Sequence, residues 1–563
     1  MGHEIARRYV PVGRRFVHYR RAGDGSPVVL LHESPMHSGA YVDLIRSLSP
    51  RFTVFAFDTP GFGDSDPLSV SRVDARVFAD ALAETFAVLA MPPCPIYGLD
   101  TGAAIALAFG ARHPTLTTGL VLNGLPIFSP RDRREFLRYY APRYRPVWDG
   151  GHLAALWTRI RDHRTFFPWY RRDETGRRLR GMPQAEELQD RTMGFLRAGD
   201  HYRHGYNSAF GQDAVATIKR VLGPITFLGR RDDTLLSPAL KTLKSLRRHQ
   251  QVVWVPSSRP KDIYAAIARA FAKYARGTPP EDIESLKLAG RPGVTYIDLP
   301  SGQVRVRGFF GRAERRPLLL LHDLPGSSAM VTEAVRQLAR DRPVLAFDLP
   351  GTGDSDPLPQ RLPRVFDFAQ AIGRGLGGLG IRRVDIAARG LAVPIAVELA
   401  AAFPKVVGRL VLEDVVVLTT RERREFLDRY CPSIKPEWDG AHLYRTWLMV
   451  RDHYLFWPWF ARTAVTALKR PFDFSPELLH RRALEILKSG ATYHLPIDAS
   501  LRYDSASRFR RVRVPVMLCA EPWHPAHAKM PQVAKLFRAA EIATLDAGYE
   551  SRRQVLDRFL AER

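Results

Sequence analysis

The chain repeats itself, and that repeat limits its possible folds more than any other feature. "FDTPGFGDSDPL" at 57–68 returns as "FDLPGTGDSDPL" at 347–358, and the stretch 131–170 returns as 421–460, both displaced by 290 positions without a gap. His32 and His322 obey the same displacement. A period this long is a whole domain copied in tandem, not a solenoid unit. Length agrees, since 563 residues exceed what one ordinary core organises. We expect a first domain over 1–278 and a second over 293–563, joined by the Pro-, Gly- and charge-interrupted stretch "ARGTPPEDIESLKLAGRPG" at 275–293.

Within each copy, apolar runs of strand length alternate with helical patterns. In the first they are "PVVLLH" (27–32), "FTVFAFD" (52–58), "PIYGLD" (95–100), "TGLVLNG" (118–124), "PITFLG" (224–229) and "QVVWVP" (251–256). Continuous apolar strands separated by helices predict an α/β fold: a mostly parallel sheet covered by helices on both faces. Aromatic and arginine-rich helical patterns break the rhythm at about 130–215 and again at about 420–505, and each is expected to be an inserted cap.

Strand, then "HESP", then "DTPGFGDSD", then strand-"GLDTG"-helix, then a helical insertion and two more strands: this order resembles the α/β-hydrolase fold superfamily with a cap domain. The resemblance covers nearly all of both copies and rests on five elements in sequence. In that fold a G-x-nucleophile-x-G turn lifts a side chain above the sheet, and the glycines are needed because side chains would clash across so tight a turn. The resemblance makes Asp100 the nucleophile. It makes the backbone N–H groups of Glu33 and Thr101 the donors to an oxyanion.

An aspartate in this slot is similar to that of epoxide hydrolases and haloalkane dehalogenases. A carboxylate is ionised at neutral pH and can attack carbon without a base, leaving an ester that an activated water must cleave. The resemblance implies a supporting acid, which "FLGRRDDTL" supplies as Asp232 with Asp233 beside it. It also implies a histidine in the loop after the last strand, yet that loop, "WVPSSRPKDIY", has none. The tryptophan that dehalogenases place after the nucleophile is Thr101 here. A plain turn role for Asp100 is the alternative.

The second copy departs further. The ungapped displacement lays "ARGLA" (388–392) over "GLDTG", so Gly390 stands in the nucleophile slot. Trp523 falls near the acid slot with Glu521 close by, and "LDAGYESRR" again lacks the histidine. The second domain is expected to be catalytically dead by the triad route.

The caps nevertheless share residues. Trp148, His152, Trp157 and His163 recur as Trp438, His442, Trp447 and His453. His152 and His163 are 11 residues apart, about three helical turns, and can share a helix face. These four are candidate cap and pocket residues, with His163 a substitute base. The alternative is that they are satisfied polar and aromatic packing, which their retention without a nucleophile favours.

The formal charge of +26 is mostly arginine dispersed along the chain, with no nucleic-acid motif, so no nucleic-acid partner is expected. "DTPGFGDSD" lacks calcium-loop spacing and no G-x-G-x-x-G opens a helix, so neither metal nor cofactor is expected. Three scattered cysteines, no signal-like N-terminus and no bilayer-length apolar run predict a cytoplasmic protein without a membrane partner.

Three functions remain. The first is hydrolysis of an ester or epoxide through Asp100. The second is a cofactor-free lyase or isomerase reaction with Asp100 as general base. The third is a pseudoenzyme that binds a ligand or partner. The aromatic caps point to a small hydrophobic organic molecule, and duplication to an intramolecular pseudo-dimer of the two domains.

Overall fold

The computed structural model describes residues 4–70, 72–229, 249–282, 292–309, 315–339, 342–469, 473–546 and 549–561. The chain divides into two compact units. One comprises Met1–Arg145 and Ala155–Leu286, the other Pro146–Ala154 and Lys287–Arg563. Of the expected 275–293 connection, residues 283–291 lie outside the described residues.

The first unit is built on an eight-stranded sheet. Its strands are β1 (Ala6–Val12), β2 (Arg15–Ala22), β3 (Ser26–Leu31), β4 (Phe52–Phe57), β5 (Cys94–Leu99), β6 (Thr117–Asn123), β7 (Ile225–Gly229) and β8 (Gln250–Trp254). Their order across the sheet is β1-β2-β4-β3-β5-β6-β7-β8. The pairs β1/β2 and β2/β4 are antiparallel and the rest parallel, the architecture the apolar runs predict. Every residue of β4 and β7 is buried, which is why these strands read as unbroken apolar runs.

The period of two still operates inside that burial. Val54 and Ala56 join the cluster in which Ile45, Leu48, Ile267 and Phe271 cover one face of the sheet. Phe57 turns the other way, against Phe86, which in turn meets Phe109. The helix Thr101–Arg112 is buried at every position from 101 to 110. Small residues make that depth possible, because they let its backbone approach the sheet closely.

The N-terminal hairpin β1/β2 is absent from the sequence reading. Its strands, "ARRYVPV" and "RFVHYRRA", carry five arginines between them and no continuous apolar run, so they gave no buried-strand signal. Pairing decides them instead: seven facing positions run from Ala6/Arg21 to Val12/Arg15 around Gly13 at φ +59°.

Between β6 and β7 the chain is helical, with Pro130–Tyr139, Gly151–Thr165, Ala185–Ala198, Tyr202–Gly211 and Ala214–Ile218. The register aligns the carboxyl ends of the parallel strands. Leu31 faces Gly98, Leu99 faces Asn123, and Asn123 faces Leu228. The turns that follow these strands therefore meet along one sheet edge, where open α/β sheets bind ligands.

The second unit repeats the plan. Its strands are β9 (Pro292–Leu299), β10 (Gly302–Phe309), β11 (Leu318–Leu321), β12 (Val344–Phe347), β13 (Val384–Arg389), β14 (Val407–Glu413), β15 (Val516–Ala520) and β16 (Ala540–Thr544). The order is β9-β10-β12-β11-β13-β14-β15-β16, the same as in the first unit. Leu318, Val344, Val411 and Met517 pack one face against Val335, Phe559 and Leu560. Among the described residues no helix is long and apolar enough to cross a membrane.

Phe271 is fully buried in the first unit's core. Phe271→Ala is expected to lower the unfolding free energy by about 3–5 kcal/mol. A change at exposed Leu222 should stay within about 0.5 kcal/mol. Urea unfolding of both variants checks the contrast.

Candidate active site

The turn between β5 and the helix Thr101–Arg112 is the tightest place in the first unit. A Cβ added at Gly98 would stand 2.4 Å from the Gly102 carbonyl oxygen, and one at Gly102 would stand 2.2 Å from that of Leu31. No side chain fits either position. Between them Asp100 holds φ +47° and ψ −107°, outside the regions that residues with side chains ordinarily adopt. The strain, of order ~1–3 kcal/mol, is held by the backbone. The Asp100 N–H donates to the Asn123 carbonyl at 2.9 Å and its own carbonyl accepts from Ala104 at 3.1 Å. The carboxylate leans towards Gly124, where an added Cβ would fall 2.2 Å from its Oδ1. Gly124 is thus an indirect requirement of Asp100, and the sequence reading did not single it out.

Asp100, Glu33 and Thr101 border one cavity of about 370 Å³. The loop after β3 is tied to the elbow through Thr101, whose Oγ accepts from the Ser34 N–H at 2.6 Å and lies 3.1 Å from the Ser34 hydroxyl. This brings together the two chain segments whose amides the sequence resemblance leads one to expect as oxyanion donors. The Glu33 carboxylate accepts from Arg191 at 3.0 Å. His32 lies below, fully buried. Its Nδ1 is 2.9 Å from the Glu33 carbonyl and its Nε2 accepts from the Thr59 N–H at 2.9 Å. It braces the loop. Burial holds its pKa below the usual histidine value, so the bracing form is neutral.

The acidic "DTPGFGDSD" stretch is a scaffold. Its Asp58 carboxylate accepts from the Ser38 and Asp64 N–H groups at 2.6 and 2.9 Å and pairs with His18 at 2.8 Å. Asp348 of the second unit accepts from Ser328 and Asp354 at 2.8 and 2.9 Å in the same way.

Aromatic residues roof the cavity. Phe136, Tyr140, Trp169 and Phe210 form a buried cluster that Phe128, Phe167 and Tyr206 extend. Arg159 is buried among them because three rings solvate it. Its guanidinium lies 4.7, 5.0 and 4.9 Å from Trp169, Phe195 and Tyr202, and it also donates to the Tyr202 hydroxyl at 2.9 Å.

The four cap candidates separate. His163 borders the same cavity as Asp100. It stacks on Trp169, with Nδ1 3.5 Å from the Tyr140 hydroxyl, and its buried Nε2 has no hydrogen-bond partner among the described residues. Burial, then the nearby charges of Arg159, Arg191 and Arg178, hold its pKa well below the ordinary value and keep the ring neutral. Trp157 is a core residue, 2% exposed. Trp148 and His152 lie in Pro146–Ala154, which groups with the second unit. There Trp148 is 67% exposed. The His152 ring stands 4.9 Å from Trp447, with Nε2 3.2 Å from His480 Nδ1. Burial pushes its pKa down to about 4. A shared helix face does not bring His152 and His163 into one pocket. Asp232 and Asp233 lie outside the described residues.

The second unit's turn is looser. Ala388 and Ala392 replace the two flanking glycines. A 3-10 turn, Gly390–Ala392, precedes the helix Val393–Ala402, so that helix begins later than its counterpart. Gly390 keeps the positive φ, at +56°. Asp414 occupies the position of Gly124 and also has positive φ, at +54°.

Comparison with known proteins agrees with this architecture. Residues 28–260 match a family model described as "Alpha/beta hydrolase family", and residues 316–439 match one described as "alpha/beta hydrolase fold". A pimeloyl-acyl-carrier-protein methyl ester esterase of Chromobacterium violaceum is 37% identical over 113 residues, 20% of this chain and 41% of that protein. A soluble epoxide hydrolase of a Corynebacterium species is 31% identical over 127 residues, 22% of this chain and 44% of that protein. A haloalkane dehalogenase of Mycolicibacterium paratuberculosis is 32% identical over 149 residues, 25% of this chain and half of that protein. The chain thus spans about half the length of the curated relatives it matches.

Because folded His163 resists protonation while an unfolded histidine accepts a proton near pH 6.5, the unfolded state binds more protons below that pH. Stability is therefore expected to fall as pH drops below about 6.5, by up to ~1.4 kcal/mol per unit from this residue. Unfolding curves between pH 7.5 and 5 should be less steep in pH for His163→Gln than for the parent by about that amount. Parallel curves would show that His163 does not carry the effect.

Proposed function

From the α/β-hydrolase superfamily, to which this chain belongs in both of its units, we propose that the first unit is a small-molecule hydrolase of ester or epoxide bonds acting through Asp100. The observation that carries this reading is Asp100 itself, a strained carboxylate on a glycine-flanked elbow that borders a roofed cavity. Strain at such a residue persists where the surroundings over-determine it.

In the proposed reaction an Asp100 oxygen attacks the electrophilic carbon of the substrate. At an epoxide carbon the ring carbon–oxygen bond breaks as an Asp100 ester forms, and at an ester's acyl carbon the bond to the alkoxide breaks as a mixed anhydride forms; in either case the released oxygen takes up a proton. The N–H groups of Glu33 and Thr101 offset charge on an oxyanion. Tyr140 and Tyr206 border the same cavity, and burial raises both hydroxyls above the usual pKa, so they stay protonated and can donate to the departing oxygen. Water then cleaves the ester or anhydride, releasing the product and restoring the Asp100 carboxylate. With no histidine in the loop after β8, the neutral imidazole of His163 is the base within the same cavity. Asp232 has a supporting role. The substrate is a small organic molecule with an apolar body, matching Phe128, Phe167, Phe195 and Phe210 around the site. The second unit, with Gly390 in the nucleophile slot, does not share this chemistry. Free thiols at Cys94, Cys431 and Cys519 fit a cytoplasmic setting.

The missing histidine favours one other reading, a cofactor-free lyase or isomerase in which Asp100 removes a proton and no ester needs release. Intact-protein mass spectrometry after exposure to epoxides and esters separates the two. A substrate-sized adduct on Asp100 belongs to the hydrolase alone.

Asp100→Asn keeps the shape of the elbow but removes the charge. Turnover is expected to fall by about 10²–10⁴-fold, the range for a positioned acid–base group, with little change in melting temperature. Asp232→Asn should lose less, since no histidine of that loop depends on it. An Asp100→Asn enzyme working at the parental rate would end the proposal.

A further inference from the structure

The second unit encloses a cavity of about 400 Å³ at the carboxyl ends of its strands. The vacant nucleophile slot there is not empty space. A Cβ added at Gly390 would lie 2.2 Å from Oδ1 of Asp323, the residue after His322. That oxygen accepts from the Leu324 N–H at 2.8 Å and from the Leu391 N–H at 3.3 Å. Leu391 is the counterpart of Thr101, so a carboxylate of the protein's own now occupies one of the amides that would serve an oxyanion. Acyl transfer by the first unit's route is closed twice over, by a missing nucleophile and by a plugged hole.

The same rearrangement leaves a cation without a close carboxylate. In the first unit Glu33 reaches Arg191 at 3.0 Å. Their counterparts are Asp323 and Arg482, for Arg191 and Arg482 are each the seventh residue of the matched helices Ala185–Ala198 and Pro476–Ser489. Asp323 is one methylene shorter than Glu33 and is held by the two amides. Arg482 consequently has no carboxylate within 4 Å among the described residues; it hydrogen-bonds the Tyr454 side chain, with its guanidinium 5.4 Å from that ring. The other guanidiniums bordering the cavity are committed. Arg389 pairs with Asp414 at 2.9 Å, Arg552 with Glu413 at 2.7 Å and Arg553 with Asp557 at 3.9 Å. The remaining wall is largely apolar, including Val331, Leu338, Leu468, Trp457 and Leu556.

We propose that this cavity binds a small organic carboxylate, its anion paired with Arg482 and its apolar body against Val331, Leu338 and Trp457. An arginine fork matches a carboxylate with two parallel hydrogen bonds, and pairing relieves a cation partly withdrawn from water. The site is independent of the chemistry assigned to Asp100 and needs no nucleophile.

Isothermal titration of the full-length protein with octanoate and 3-phenylpropanoate, each against its primary amide, tests the assignment. The acids should bind at least ~10-fold more tightly than the amides, the margin expected of a charge-assisted pair. Arg482→Gln should abolish that margin, and Arg191→Gln in the first unit should leave it. Asp323→Glu provides a second variant without change of charge. Its longer carboxylate can reach Arg482 as Glu33 reaches Arg191, and acid binding should weaken by a similar factor. Equal binding of acids and amides, no binding of either acid, or unaltered acid binding by Arg482→Gln would each overturn the proposal.

Discussion

Everything at the first unit's site depends on how closely one helix approaches the sheet. The helix Thr101–Arg112 begins so near β3 and β5 that Gly102 lies against the Leu31 carbonyl and Gly98 against that of Gly102. This closeness forces the chain to turn through a positive φ at Asp100, and the turn lifts the carboxylate to the end of the strand. It also buries the helix from 101 to 110, which only small and apolar residues allow. Hydrogen bonding from Thr101 to the loop after β3 fixes the second wall of the site to the same turn. Core, backbone strain and candidate nucleophile are one arrangement, not three.

The second unit keeps the sheet and relaxes that constraint. Alanines replace both glycines, a 3-10 turn opens the start of the helix, and the helix shortens to Val393–Ala402. The side chain has gone from the elbow, yet carboxylates have gathered around the gap. Asp323 enters from the β11 loop, and Asp414 stands where the first unit has Gly124. Burial raises the pKa of Asp414, against the pull of Arg389 beside it, and His524 Nδ1 lies 3.3 Å from its Oδ1. What looks like decay at one position is an exchange of charge among neighbouring positions. A fold that holds its strand ends rigidly permits this, because each of those ends faces the same cavity.

Arginine, so abundant in this chain, serves structure more often than its net charge implies. Arg159 is solvated by three aromatic rings, and Arg389 and Arg552 are held by paired acids. Such groups lend the caps and strand ends a rigid polar framework. They also explain why His163 is neutral: burial disfavours its charge, and neighbouring guanidiniums disfavour it further.

Much of this was legible in the residues. The 290-residue displacement marks two copies, the unbroken apolar runs mark parallel strands buried on both faces, and "GLDTG" marks a turn that must be glycine-flanked. These features are local or periodic, and the backbone reads them directly. The hairpin β1/β2 escaped because arginine-rich edge strands carry no apolar run. The spacing of His152 and His163 promised a shared face, yet His152 meets His480 and Trp447 while His163 borders the cavity of Asp100. Helical spacing fixes direction along one helix but not which core that direction meets. The sequence by itself determined the duplication, the sheet and the carboxylate at the elbow, since each follows from chain stereochemistry and burial. Only the tertiary structure decided that Asp323 fills the slot beside Gly390 and leaves Arg482 with no carboxylate within 4 Å among the described residues. Those residues are distant in sequence, and their partners are set by a difference of one methylene at the packed end of a sheet.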